Sequence, residues 1–246
     1  MKIPWLDAND PLPPVESALR RPNGLLAAGG GLSLWRLVDA YRRGCFPWSN
    51  HGQPVLWWSP DPRMVLPPDQ LHVSRSLSRR VRRGGFEVRA DTAFHQVIQA
   101  CAEPRDGQSG TWITADIVDA YVALHQAGFA HSVETFVDGT LVGGLYGVAI
   151  GQAFFGESMF AHATGASKLA LVHLVEQIRR WGFGPIDCQM KTAHLASFGA
   201  REISRARFVK QIAVLVTRPA PPSPWRLDSD LAHALVRARA PSSRLV

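Results

Sequence analysis

Residues 141–199 read LVGGLYGVAIGQAFFGESMFAHATGASKLALVHLVEQIRRWGFGPIDCQMKTAHLASFG. Two polar clusters stand in otherwise apolar runs, Gly156-Glu157-Ser158-Met159-Phe160 and Ile186-Asp187-Cys188-Gln189. Each sets a carboxylate where a buried strand favours Val or Ile, and burying an ionised carboxylate without a partner is costly. The local structure around them is legible. Asp138-Gly139 between two β-rich runs predicts a hairpin joining strands over 130–137 and 140–150. Gly151 turns the chain into a third strand over 152–156. Ser167 is the expected cap of a helix reaching about Trp181, with Leu171, Leu174, Val175 and Ile178 at helical spacing and Gly182 as its stop. Pro185 opens a short strand over 186–189. Side chains alternate along a strand, so Asp187 and Gln189 are expected on one face and Ile186 and Cys188 on the other. That geometry sets an acid and an amide side by side, facing one cavity.

Working back toward the N-terminus, residues 1–30 are rich in Pro and Gly and read as irregular. Ser33 caps a short amphipathic helix with Leu34, Leu37, Val38 and Tyr41 on its apolar stripe and Gly44 at its end. Trp48, Trp57 and Trp58 lie within eleven residues, among Pro and Gly that forbid a helix. Trp57 and Trp58 are assigned to a small domain's core. Residues 72–83 read HVSRSLSRRVRR, with Arg80 in the run and Arg75, Arg79, Arg82 and Arg83 on one helix face, Val73, Leu77 and Val81 on another. Like charges this dense repel unless an anion is near, and the face is assigned to phosphate rather than to solvent alone. Phe94, Val97, Ile98 and Cys101 mark a core helix. A polar loop is expected over 103–110, then a helix capped by Thr114 and ended by Gly128. Beyond the central stretch, an edge strand is expected over 201–203 and a helix capped by Ser204, with Phe208, Ile212 and Leu215 inward. The Pro-rich run 219–224 breaks it, and the tail to Val246 is given no function.

The words GGLYG, GESMF, ASK, IDCQ and HLxSxGA, preceded by NGLLAxGG, AYRRGxFPW, LWWSPDPR, TWI and HSVE, resemble the leucyl/phenylalanyl-tRNA–protein transferase family over roughly residues 22–208. The resemblance implies an α+β fold: a GNAT-like acyltransferase domain whose mixed central sheet is flanked by helices, plus a small N-terminal α/β domain. The expected divisions are 1–62, 63–218, and a Pro-rich break with a basic tail over 219–246. It implies transfer of Leu, Phe or Met from aminoacyl-tRNA to the N-terminal Arg or Lys of proteins, marking them for N-degron degradation. By resemblance, Trp48 stacks on the tRNA's terminal adenosine beside Tyr41, and Trp112 lines the cleft. Leu145, Phe154 and Ile186 match the positions of the amino-acid pocket. Two departures stand out: Gly31 replaces the acid of GGDLS, and Gly165 replaces the Asn before ASK, so a helix cap or loop near the site is expected to differ.

Composition agrees with this direction. A chain of 246 residues, 46% hydrophobic, can bury one sizeable core, and a net charge of +7 favours a polyanionic partner. Three scattered cysteines form no disulfide framework or metal pair. The first residues carry no signal-peptide pattern and no long uncharged apolar run is present, so a cytoplasmic location without membrane contact is expected; a monomer is also expected, though the sequence does not fix the oligomeric state. No cofactor or metal is expected.

An acceptor amine with a pKa near ~7.7–8.0 is already partly neutral at cellular pH, so the reaction needs orientation and proton handling rather than an enzymic nucleophile. The absence of GxSxG agrees with direct aminolysis. Asp187 is assigned to polarise the amine, Gln189 to orient the amine or the ester carbonyl, and Glu157 to contact the acceptor or the substrate's amino group. The alternative for both acids is a structural ion pair with an Arg or with Lys168. A ribose hydroxyl could instead shuttle the proton, with Asp187 acting only through its charge. Two rival functions remain at this point, an N-acyltransferase using acyl-CoA and a non-catalytic tRNA-binding module.

Overall fold

The computed structural model describes residues 3–104 and 111–237. Part of the loop expected over 103–110 and the end of the tail lie outside the described residues. Two sheets organise the chain. The smaller one contains β1 (Trp5–Leu6), β2 (Leu25–Gly29), β3 (Phe46–Pro47) and β4 (Leu56–Trp58), in the order β1-β2-β4-β3, with α1 (Leu34–Arg43) between β2 and β3. α1 begins where the Ser33 hydroxyl accepts from the Arg36 N–H and ends at Gly44, φ +82°. Trp57 is fully buried and its indole N–H donates to the Gly29 carbonyl at 2.9 Å. The half-buried Trp58 donates to the Trp48 carbonyl at 2.7 Å and packs edge-on against the Trp48 ring. The one core tryptophan thus fixes the sheet, while its neighbour fixes Trp48.

The larger sheet has seven strands. In chain order the elements are β5 (Arg63–Leu66), α2 (Arg75–Arg83), β6 (Glu87–Ala90), α3 (Phe94–Ala102), α4 (Ala115–Gln126), β7 (Ala130–Val137), β8 (Thr140–Ile150) and β9 (Ala153–Ala161). They continue with α5 (Ala166–Arg180), β10 (Ile186–Asp187), α6 (Ala193–Ser197), β11 (Arg201–Ile203), α7 (Arg205–Leu215) and α8 (Leu231–Arg237). The strand order is β11-β5-β10-β9-β8-β7-β6. This is the expected α+β class, a mixed sheet flanked by helices. One hydrophobic cluster joins both sheets through Tyr41, Trp57, Phe94, Tyr121, Tyr146 and Phe155. A second, including Leu169, Val172, Val175 and Leu77, packs α5 and α2.

Three departures from the sequence reading shape the site. First, β9 runs to Ala161 instead of stopping near residue 156. Tyr146 pairs with Ser158 and Gly147 with Gly156, so Glu157 is the extra residue of a β-bulge. A bulge bends its strand and re-aims a side chain. It lets a polar residue sit inside a long strand without entering the ladder's regular alternation. Second, β10 ends at Asp187, and Gln189 has φ +54°. The regular alternation assumed for 186–189 therefore fails after two residues. Third, α5 starts at Ala166, with Gly165 at φ +79° as its cap and no side-chain capping bond. Ser167 lies within the helix, and the glycine that departs from the family pattern occupies the left-handed position that glycine reaches without strain.

Candidate active site

β9 and β10 are parallel and share a single register pair, Asp187 with Phe155. Beyond it β10 stops while β9 continues, so the strand ladder between them ends. A cavity of about 1060 Å³ opens there, at the carboxyl ends of adjacent parallel strands, where open α/β sheets place ligands. Its floor is buried and apolar: Leu66, Leu145, Phe154, Leu171, Ile186 and Cys188. Its rim is partly or wholly exposed and includes Trp48, His51, Glu103, Trp112, Thr192 and His194. Glu157 and Gln189 also line the cavity. Gly147 is needed behind this wall, because a Cβ there would come within 2.5 Å of the Phe154 ring and 2.4 Å of the Phe155 carbonyl.

Glu157 is held by two tyrosines. The Tyr41 hydroxyl lies 2.8 Å from Oε1 and the Tyr121 hydroxyl 3.2 Å from Oε2, and the two hydroxyls also bond each other, the three groups sharing their protons around the ring. The Gln189 amide makes a long 3.5 Å contact to Oε1. Burial pushes Glu157 up to about 8, the Asp187 charge adding to this and the two tyrosine hydrogen bonds opposing it. Tyr41 itself is raised well above the usual phenol value, by burial first and then by Glu157. The expectation that Tyr41 joins Trp48 at the adenosine end is corrected: Tyr41 is fully buried, is not among the cavity-lining residues, and its hydroxyl is committed to Glu157.

Asp187 also requires correction. It does not face the cavity with Gln189. It is 1% exposed and forms a two-pronged ion pair with Arg63, Nε to Oδ1 at 2.7 Å and Nη2 to Oδ2 at 2.6 Å. Arg63 is 0% exposed, donates to the Gly44 carbonyl, and lies between the rings of Phe46 and Phe208, 4.8 and 4.6 Å from their centroids. The ion-pair alternative is the one realised for Asp187. The physical reason is the ladder: Asp187 sits between β5 and β9, so its side chain leaves the sheet on the Arg63 side. Its Oδ1 also accepts the Gln189 backbone N–H at 3.0 Å. Asp187 thereby holds the turn whose positive φ swings Gln189 into the cavity beside Ile186 and Cys188, the residues expected on the opposite face.

The remaining expected residues fall into place as follows. Trp48, Trp112, Leu145, Phe154 and Ile186 line this one cavity. On α2, Arg75, Arg79, Arg82 and Arg83 are exposed, and none of the four has an ion pair among the described residues. Arg80 departs from them: it is half-buried, with its guanidinium 5.9 Å over the Phe86 ring, because its position on the helix turns it toward β6. Among the described residues, no group of three His, Cys, Asp or Glu could hold a metal. Burial pushes the Cys188 thiol far up, which disfavours the thiolate that a nucleophile needs.

Sequence reasoning missed Arg63, Tyr121 and Trp225. Trp225, in the tail, is 2% exposed. It stacks on His131 at 3.9 Å, donates its backbone N–H to Asp91 at 2.6 Å, and packs against Phe154 and Trp181. The tail therefore braces the cavity floor from behind, and Arg180 ties it further to Asp228 and Asp230. A tryptophan standing alone after a Pro-rich run was the available signal.

Comparison with known proteins follows the same outline. Residues 65–213 match the family described as leucyl/phenylalanyl-tRNA protein transferase, and residues 30–61 match that family's N-terminal domain. A leucyl/phenylalanyl-tRNA–protein transferase of Thiobacillus denitrificans is 59% identical over 93% of this chain and 100% of its own length. One from Stutzerimonas stutzeri is 60% identical over 91% of this chain and 99% of its own. Among solved structures, L-PGS from Bacillus licheniformis overlaps 64% of this chain and 65% of its own at 11% identity and a TM-score of 0.42, too slight a likeness to bear on the site.

Proposed function

The chain belongs to the leucyl/phenylalanyl-tRNA protein transferase family, and on that premise we propose how its cavity performs the reaction. The protein is an aminoacyltransferase: it moves an amino acid from aminoacyl-tRNA to a protein N-terminus. Our reading is that Leu, Phe or Met is the donor group and N-terminal Arg or Lys the acceptor. The buried floor formed by Leu145, Phe154 and Ile186 takes the donor side chain. Such a floor makes no polar demand and separates apolar side chains weakly, a methylene being worth ~1–3 kcal/mol. Trp48 and Trp112 at the rim stack on the terminal adenosine. Arg75, Arg79, Arg82 and Arg83 meet tRNA phosphates, positioning the ligand without reading sequence.

The reaction is direct aminolysis. The acceptor nitrogen attacks the ester carbonyl carbon, the C–N bond forms, and the bond to the tRNA ribose oxygen breaks. The amine's proton ends on that oxygen, carried by the neighbouring ribose hydroxyl. Gln189 is the group that touches the reacting atoms, its amide oriented by the turn that Asp187 holds. Asp187 is a positioning residue. Glu157 accepts a hydrogen bond from an amino group in the cavity. An ammonium brought beside it favours the ionised carboxylate and releases its proton.

One observation carries this reading: Glu157, from a bulge, and Gln189, from a left-handed turn, converge where an apolar floor meets a polar rim. The test is transfer from labelled Phe-tRNA to an Arg-initiated peptide, with a parallel reaction supplied with acyl-CoA. Label on the peptide from Phe-tRNA alone is expected. Acylation from acyl-CoA instead would overturn it.

The finer architectural reading is also ours. The larger sheet is a GNAT-like acyltransferase domain over 63–218, following a small N-terminal domain over 1–62 and followed by the tail over 219–246. The family's two matched segments, which meet near residue 62, support that division. We place the enzyme in the cytoplasm as a monomer marking proteins for N-degron degradation. No helix among the described residues is long and apolar enough to cross a membrane.

A further inference from the structure

We propose that Glu103 reads the cationic side chain of the acceptor's first residue. This rests on the reading above that the acceptor begins with Arg or Lys. Among the described residues lining the cavity, the only carboxylates are Glu157 and Glu103, and there is no Lys or Arg, although the whole chain carries +7. A lining with two carboxylates and no Lys or Arg suits a cationic side chain.

The two acids are in different situations. Glu157 is committed to Tyr41, Tyr121 and Gln189 at the polar edge of the floor. Glu103 stands at the rim with its side chain 61% exposed, and its ion partner is His162, 4.0 Å away and itself 51% exposed. That distance is the outer limit of an ion pair, so the carboxylate is available to a ligand. The other titratable groups of the rim are His51 and His194. Burial, with the Lys168 charge, holds His194 below its usual range, which disfavours its cationic form, and no ion pair joins it to Glu103 among the described residues.

Placement argues in the same direction. Glu103 is the residue that ends α3. Phe94, Val97, Ile98 and Cys101 bury that helix in the core, and Cys101 already lines the cavity. The helix end is therefore a fixed part of the wall. A carboxylate at a helix C-terminus meets the negative end of the dipole and disfavours the helix. Glu103 therefore lends α3 no support from its charge, which leaves the carboxylate to a cation at the rim. Glu103, Gln189 and Glu157 line the same cavity, so with the acceptor nitrogen at Gln189 and Glu157 an outward-running Arg or Lys side chain would place its cation on the Glu103 side of the rim. A planar guanidinium can meet a carboxylate with two parallel hydrogen bonds, which an ammonium cannot, so Arg is preferred over Lys.

The experiment uses the full chain, saturating Phe-tRNA, and two peptides that differ only in beginning with Arg or with its neutral isostere citrulline. The wild type should favour the Arg peptide. Glu103→Gln should raise KM for the Arg peptide about two- to fivefold, the range left for a charge-assisted bond after discounting for exposure. KM for the citrulline peptide and for Phe-tRNA should not move, and Glu103→Lys should raise KM for the Arg peptide further. Equal KM for wild type and Glu103→Gln on the Arg peptide would overturn the assignment. So would the same change on both peptides, or a change that falls on Phe-tRNA. Failure of the wild type to transfer to either peptide would instead overturn the reaction reading, and Glu103's role with it.

Discussion

Replacing Asp187 by Asn separates two accounts of this acid. Asn matches Asp in shape, and its carbonyl can still accept the Gln189 N–H that Oδ1 accepts at 3.0 Å. Its amide nitrogen would then face Arg63 Nη2, which now donates to Oδ2 at 2.6 Å. Arg63 is 0% exposed, so its charge would stay buried with no counter-charge, its partners being the Asn carbonyl in place of Oδ1, the Gly44 carbonyl and two aromatic faces. Breaking one side of a buried pair costs about 3–5 kcal/mol. For a chain of this size that corresponds to a fall in Tm of about 6–20 °C, at roughly 2–4 °C per kcal/mol. The assay is thermal unfolding followed by circular dichroism, alongside turnover with saturating Phe-tRNA and an Arg-initiated peptide. A large drop in Tm with a loss of kcat at unchanged KM for Phe-tRNA is expected, since without the two-pronged pair to Arg63 the side chain at 187 no longer fixes the Gln189 turn. The double variant Arg63→Met/Asp187→Leu should regain stability, because paired apolar replacements remove the desolvation penalty of both charges, yet it should not regain kcat. An Asp187→Asn enzyme that melts with the wild type while losing turnover more than about a hundredfold would refute the reasoning. Such a loss is the scale on which general acid–base groups act, and it would put Asp187 on the substrate.

Other outcomes follow from the same geometry. Glu157 holds its proton up to about pH 8 when folded but only to about 4.3 when unfolded. The native state therefore binds more protons between those values, and stability falls as pH rises through that window. Glu157→Gln should flatten the pH dependence of Tm between pH 5 and 8.5; an unchanged slope would show that Glu157 titrates normally. Trp225→Ala removes a buried indole stacked on His131 and backing Phe154. It should cost about 3–5 kcal/mol in chemical denaturation and weaken use of Phe more than Leu; a tail that only drapes the surface would show neither effect. Arg79→Ala/Arg82→Ala should weaken aminoacyl-tRNA binding and reduce the salt slope by about one per lost phosphate contact, measured as log K against log salt concentration.

Most of the fold was written in local signals. The Asp138-Gly139 hairpin, the Ser33 and Ser204 caps and the Gly44 stop need only near neighbours, and each stands where its residues predict; the edge strand at 201–203 is also found, paired with distant β5. The site was half legible. Glu157 and Gln189 were marked by polarity inside apolar runs, but how they reach the cavity was not. The bulge at Glu157 depends on the register of β8 against β9, a pairing the sequence does not state. The left-handed Gln189 depends on a hydrogen bond to Asp187, and Asp187 in turn is set by Arg63, 124 residues earlier. The acid in IDCQ read as a substrate group because its partner lay in the LWWSPDPR segment, where an Arg after Pro gives no sign of burial. Trp225 was missed for a like reason: its partners His131, Phe154 and Trp181 come from three separate elements.

The central claim is that one cavity brings a charged tRNA end and a peptide N-terminus together for a single transfer, with no covalent enzyme intermediate. The direct measurement is to mix the enzyme with labelled Phe-tRNA alone, quench at successive times, and weigh the protein by intact mass spectrometry. The prediction is that the protein never gains the mass of a phenylalanyl group, and that adding an Arg-initiated peptide moves the label to the peptide in one kinetic phase. A phenylalanyl adduct on the enzyme that forms before peptide is added, and disappears as product appears, would contradict it.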